Sequence, residues 1–250
     1  MRWNEVSDDP NSRVSLNLRA GELVDAHTSP VDDRVAYLAS RCEGLKVLDC
    51  GVVAHRFKDG KMTPGQLYLD IAAQATEVVG IDILEREIAY LADAGFHVKF
   101  ASITDPALVD IVGDDFDILV GGEIIEHIDN PGMLFENARR VLKTGGVLIL
   151  TTPNPYCARL VSDHLRGKVR ENVDHVAYFF PSGIAELAAR HGFVLSSYRG
   201  ARDQRPRRTL RHLLASVAAR VLNEDINYWT YIYELTLASG DGPQSERFEG

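Results

Sequence analysis

The chain has 250 residues, 45% of them hydrophobic and 25% charged, enough for one large α/β domain with a sizeable core. Its 36 acidic and 27 basic residues give a net charge of −9, which speaks against a general nucleic-acid or anionic-membrane binder. Three cysteines without a CxxC pair, no apolar run near the ~20 residues that cross a bilayer, and a start lacking the apolar core of a signal peptide favour a cytoplasmic protein without stable membrane insertion.

After a polar start, "SPVDDRVAYLASRC" (29–42) predicts a helix with Ser29 as N-cap and Pro30 at its first position. Short apolar runs then alternate with helical patterns. "KVLDC" precedes "GQLYLDIAAQA", "EVVGID" precedes "ILEREIAYLADAG", and "HVKFAS" precedes "PALVDIVG". Next come "FDILVG", the helical "PGMLFENARRVLKTGG" and "VLILTT". The runs are rich in Val, Ile and Leu and do not alternate with polar residues, as strands buried on both faces require. Strand–helix alternation of this kind builds βαβ units and an open, doubly wound sheet.

Residues 153–180 break the rhythm and are expected over the sheet's carboxyl edge, as a substrate-side lid bearing Tyr156, Tyr178, Phe179 and Phe180. The helix "SGIAELAARHG" and the strand "FVLSSYR" resume it. "RPRRTLRHLLASVAARVL" reads as an amphipathic helix with a basic start, "YWTYIYELTLA" as a strand, and residues 238–250 as a polar, disordered tail. One domain over residues 1–237 is the economical division. Trp229 and Tyr231 in the final strand suit a core or a homodimer contact. His27 and His55 read as surface histidines.

Ligands of such sheets bind beyond the carboxyl ends of the strands. Two strands end there in a carboxylate, at Asp49 in "VLDCG" and at Asp82 in "VVGID". The second can accept both hydroxyls of a ribose. A third strand runs into "GEIIEH" (122–127). If the backbone turns helical at once, Glu123, Glu126 and His127 share one face by their i, i+3 and i, i+4 spacings. That face suits a solvated helix start, an acid–base site or most of a metal site.

The series "VLDCG", "VVGIDI", "FDILVGGEIIEHIDNP", "RRVLKTGGVLILTTPNP" and "FPSGIAELAARHGF" resembles the class I S-adenosylmethionine-dependent methyltransferases over roughly residues 30–200. The resemblance implies a Rossmann-like, seven-stranded sheet with its last strand antiparallel and helices on both faces. It implies that Asp82 and Ile83 hold the adenosine, that Asp49 and Gly51 border the methionine end, and that Gly121 and Gly122 lie under the sulfonium. Two departures stand out. Val52, Val53, Ala54 and His55 replace the usual glycines after Gly51, ahead of an apparent insertion "RFKDGKMTPG". Ser102 stands where an acidic residue often reads the adenine amino group.

Within that superfamily, "ExxEH" followed by a distant histidine resembles the metal-assisted O-methyltransferases of catechols and of RNA 3′ ends. By that resemblance Glu123, Glu126, His127 and His175 hold a divalent cation, with Mg²⁺ favoured and Mn²⁺ or Zn²⁺ as alternatives. Glu126 and His127 are then the catalytic pair. Without a metal, His127 would be a general base. The expected partner is a small diol-bearing acceptor, a sugar or oligosaccharide first and a catechol or quinone precursor second. RNA is disfavoured by the charge. A non-catalytic binding protein that kept the fold is the contrasting expectation.

Overall fold

A computed structural model describes residues 2–53, 62–169, 172–202 and 224–238. Seven strands form one sheet in the order β3-β2-β1-β4-β5-β7-β6. They are β1 (Lys46–Cys50), β2 (Glu77–Asp82), β3 (Val98–Phe100), β4 (Phe116–Gly122), β5 (Leu142–Pro153), β6 (Phe193–Ala201) and β7 (Thr230–Leu237). The first five pair in parallel. The last strand, β7, runs antiparallel between β5 and β6.

Neighbouring residues of each central strand enter different apolar layers. Val47, Ile118, Ile149 and Ile232 pack with Leu38 and Ala39 of α3 (Arg34–Arg41) and Ile71 of α4 (Gln66–Ala72). Leu48, Leu119, Leu148 and Tyr233 pack with Leu134 and Phe135 of α7 (Pro131–Val141) and Ile184 of α9 (Pro181–Arg190). The period of two along a strand puts these sets on opposite faces, so helices cover both. Ile88 and Leu91 of α5 (Glu85–Asp93) close the β3 side against Val98.

Two expectations change. The helix read from Pro30 starts at Arg34, where Asp33 accepts the Ala36 N–H at 3.0 Å. Residues 28–31 lie along β6 instead, because the N–H groups of Thr28 and Val31 bond the carbonyls of Tyr198 and Gly200 at 2.9 and 3.0 Å. The polar start contains α1 (Trp3–Val6) and the longer α2 (Arg13–Ala26), capped by Ser12. Within residues 153–180, α8 (Ala158–His164) is helical. The basic amphipathic pattern, His55 and residues 239–250 lie outside the described residues. Among the described residues no helix is long and apolar enough to cross a membrane. All three cysteines are buried and free.

Candidate active site

The carboxyl ends of β1, β2, β4 and β5 lie side by side, which brings Asp49, Asp82, Gly121, Gly122 and Thr151 to one edge. Asp49 is 2% exposed. Burial pushes its carboxyl up to about 8, against the opposing pull of the Cys50 N–H and of Arg34. Asp82 is fixed by two backbone donors, Val53 N–H at 3.0 Å and Leu84 N–H at 3.1 Å. Ile83 beside it is 67% exposed, an apolar side chain held at the rim of the edge. Ser102 spends its hydroxyl locally, 2.8 Å from Thr104 Oγ1 and accepting the Thr104 N–H.

The glycines answer first to packing. A Cβ at Gly121 would come within 2.8 Å of Leu150, and one at Gly122 within 2.9 Å of Leu67. Gly51 sits at φ +83, where a Cβ would meet Ile124 Cδ1 at 2.4 Å. That contact seats the turn after β1 on the turn after β4.

"GEIIEH" does not become one helical face. Glu123 closes β4 at φ +57, with its N–H on the Thr151 carbonyl at 3.0 Å. The helical turn is a short 3₁₀ segment, Ile125–His127, anchored by the fully buried Ile125. The Glu123 carboxylate accepts the Thr151 hydroxyl at 3.0 Å and lies 3.6 Å from Arg34. Arg34 also donates to Thr151 Oγ1 at 2.8 Å. The sequence reading passed over Arg34, whose partners are far along the chain.

Glu126 is fully buried, and neither carboxylate oxygen has a hydrogen-bond partner among the described residues. Burial, with the charge of Glu123 added, holds its carboxyl well above the usual carboxylate range. The nearby Thr152 hydroxyl offsets part of this rise. Ligand atoms of Glu126, His127 and His175 lie within 4.8 Å of one another. The two imidazoles meet edge to face at 4.7 Å. His127 Nδ1 is 3.2 Å from Asp174, a partner the sequence reading did not name. An orphaned buried carboxylate beside two imidazoles is a donor set that fits a divalent cation.

These groups line a cavity of about 250 Å³. Pro153, Cys157, Leu160, Tyr178 and Trp229 form much of its remaining wall. Asn154 also borders it, but its amide donates both hydrogens to the Asp225 and Tyr228 carbonyls and accepts the Tyr156 N–H.

Residues 29–198 match the family described as a methyltransferase domain, and the chain belongs to it: it is a class I S-adenosylmethionine-dependent methyltransferase domain. A ubiquinone biosynthesis O-methyltransferase of Nitrosomonas europaea is 25% identical over 146 residues, 54% of this chain and 62% of that protein. The protein of that name from Pseudomonas putida is 28% identical over 128 residues, 50% of this chain and 49% of that one. The chain thus spans 49–62% of the length of these two relatives. Among solved structures, a SAM-dependent methyltransferase from Archaeoglobus fulgidus superposes with a TM-score of 0.53 at 15% identity, covering 81% of this chain and 94% of that one. Magnesium protoporphyrin IX methyltransferase from Synechocystis PCC 6803 gives 0.52 at 14%, covering 95% and 93%. Both likenesses are of fold.

Proposed function

We propose that the protein transfers the methyl group of S-adenosylmethionine to a hydroxyl of a small, ring-borne vicinal diol, with a divalent cation at Glu126, His127 and His175. The observation that carries this reading is the unpartnered, fully buried Glu126 carboxylate with two imidazoles converging on it. Left alone, such a carboxylate is a costly feature to keep.

The transfer forms a C–O bond as the C–S bond of the sulfonium breaks, leaving S-adenosylhomocysteine, and the acceptor hydroxyl must give up its proton. A bound cation supplies Lewis acidity that lowers the pKa of such a hydroxyl. The chain's own part is placement. Asp82 offers carboxylate oxygens to the ribose, Ile83 an apolar surface to the adenine, and Arg34 a guanidinium to the carboxylate of the methionine end. Glu123, turned to Thr151 and Arg34, borders the cavity and adds negative charge beside Glu126. The apolar wall positions the acceptor and keeps water from the reacting oxygen.

The wall supports one acceptor class over another. A polar lid and an acidic surface put a sugar first in the sequence, but Pro153, Cys157, Leu160 and Trp229 suit the flat apolar body of a catechol better than a polyol. The names of the curated relatives point to O-methylation too. A metal-free alternative has one observation behind it: Asp174 beside His127 Nδ1 would orient the ring as a general base.

Titration of EDTA-stripped protein with S-adenosylhomocysteine, with and without Mg²⁺ or Mn²⁺, tests the reading. Binding, together with catechol methylation that requires the metal, supports it. Metal-independent turnover would return His127 to the role of base. No binding of S-adenosylhomocysteine would leave a fold without the activity.

A further inference from the structure

Arg34, the first residue of α3, ends in a guanidinium that lies over the carboxyl end of β4, where a Cβ on Gly122 would come 3.7 Å from its Nη1. It donates to Thr151 Oγ1 at 2.8 Å. That hydroxyl also accepts the Glu123 N–H at 3.1 Å and donates to Glu123 Oε1 at 3.0 Å, which uses it fully. Arg34 itself stands 3.6 Å from Glu123 Oε1, beyond hydrogen-bond range. The two side chains of this pair are 28% and 29% exposed, so solvent screens the contact and Arg34 holds Glu123 only weakly.

Two acidic sites flank the guanidinium. Burial raises the carboxyls of Asp49 and Glu126, and the charge of Arg34 opposes both rises. Glu123 adds to the rise at Glu126, and it lines the same cavity as Glu126, His127 and His175. Arg34 therefore stands between Asp49 on the cofactor side and the two glutamates on the cation side.

The methionine end of the cofactor is a zwitterion, whose ammonium suits Asp49 and whose carboxylate suits Arg34. A carboxylate can take two parallel guanidinium N–H bonds, which are stronger and more directional than the screened contact with Glu123. Building on the proposed methyl transfer, we propose that Arg34 couples the two sites. It leaves Glu123 for the cofactor carboxylate, and Glu123, released, joins Glu126, His127 and His175 as a fourth donor to the cation. Each ligand then binds more tightly when the other is present, and by the same factor. The coupling also gives a reason why three ligand atoms converge while Glu123 is drawn aside to Thr151.

Calorimetric titration of the EDTA-stripped full chain with Mn²⁺, alone and saturated with S-adenosylhomocysteine, tests it. S-adenosylhomocysteine tightens Mn²⁺ binding about fivefold or more, and Mn²⁺ tightens S-adenosylhomocysteine equally. Decarboxylated S-adenosylhomocysteine, which keeps the ammonium and lacks only the carboxylate, leaves Mn²⁺ affinity unchanged. Glu123→Gln binds both ligands without coupling. Arg34→Met frees Glu123 from the start, so without cofactor it binds Mn²⁺ as tightly as the cofactor-saturated wild type. Adding Glu123→Gln to that variant removes the gain. A merely structural Arg34 would give no gain in affinity. Independent binding of the two ligands, equal coupling by the decarboxylated compound, or a gain that survives in the double variant would each overturn the coupling and leave the transfer reading standing. A wild type that binds neither S-adenosylhomocysteine nor Mn²⁺ would overturn both.

Discussion

The Val176 N–H donates to the backbone carbonyl of Glu126 at 2.8 Å. The turn that carries two of the proposed ligands is therefore tied by main chain to the segment that carries the third. Side chains repeat the connection, through Asp174 on His127 and the edge-to-face rings of His127 and His175. Segments almost 50 positions apart are held in register before any cation arrives, which lowers the ordering cost of binding one.

Metal binding should appear as stability. Stripped wild-type protein gains about 2.7 kcal/mol at a cation concentration one hundred times its Kd, read as a rise in Tm. Glu126→Gln removes a buried carboxylate beside Glu123, so without metal it is at least as stable as the wild type. The same variant gains nothing from Mg²⁺ or Mn²⁺. His175→Ala also loses the gain while keeping its affinity for S-adenosylhomocysteine. A cation-induced rise in Tm that persists in both variants would remove the cation from this cluster.

Asp174→Ala tests the support behind one imidazole. Partners one step removed from a ligand are worth about 10–100-fold in metal affinity. Asp174 is 65% exposed, so solvent screens the contact and the expected loss is at the lower end, about tenfold. Tm without metal should be unchanged. A fall in Tm with unchanged metal affinity would make the contact merely structural.

Much of the sheet could be read ahead of the structure because its strands carry their own signal: Glu77–Asp82 is an unbroken β-type run between helical patterns. Helix α2 could not, because its apolar residues do not mark a buried stripe. Val14, Leu16 and Val24 are exposed, while its buried residues are Ser15 and Ala26. Pro30 pointed to a helix start, but hydrogen bonds to β6, about 170 positions away, hold that segment extended. At the site, the resemblance of "EIIEH" and the distant "DH" named Glu123, Glu126, His127 and His175 as ligands, and the last three are the ones whose ligand atoms converge. Local spacing put Glu123 on their helical face, and only the fold reveals Thr151 and Arg34, which turn its carboxylate elsewhere. Arg34 had no local signal at all.

Gly51→Ala should cost about 1–3 kcal/mol by chemical denaturation, since the residue holds φ +83 and the new Cβ would run into Ile124. Measured in an Ile124→Ala background and against Ile124→Ala alone, the same glycine substitution should cost less, because the contact is gone and only the backbone strain remains. The double variant therefore separates the two causes. No cost at all in that background would mean that the turn relaxes to another conformation and that the glycine is there for packing alone.

Asp49 makes the stability of the ligand-free protein depend on pH. Its folded pKa is about 8, against an ordinary value of 3.8. Below the ordinary value both the folded and unfolded forms carry the proton, and stability does not change with pH on its account. Between the two values the unfolded chain releases the proton while the folded chain keeps it, so stability falls as pH rises and levels off only above about 8. Asp49→Asn cannot titrate. Its denaturation midpoint should match the wild type near pH 4 and exceed it at pH 8, with the difference opening across that window. S-adenosylhomocysteine should narrow the difference if its ammonium pairs with the ionised carboxylate, because ligand then favours the charged form that burial disfavours. Parallel pH profiles for variant and wild type would mean that Asp49 reaches solvent in the folded protein.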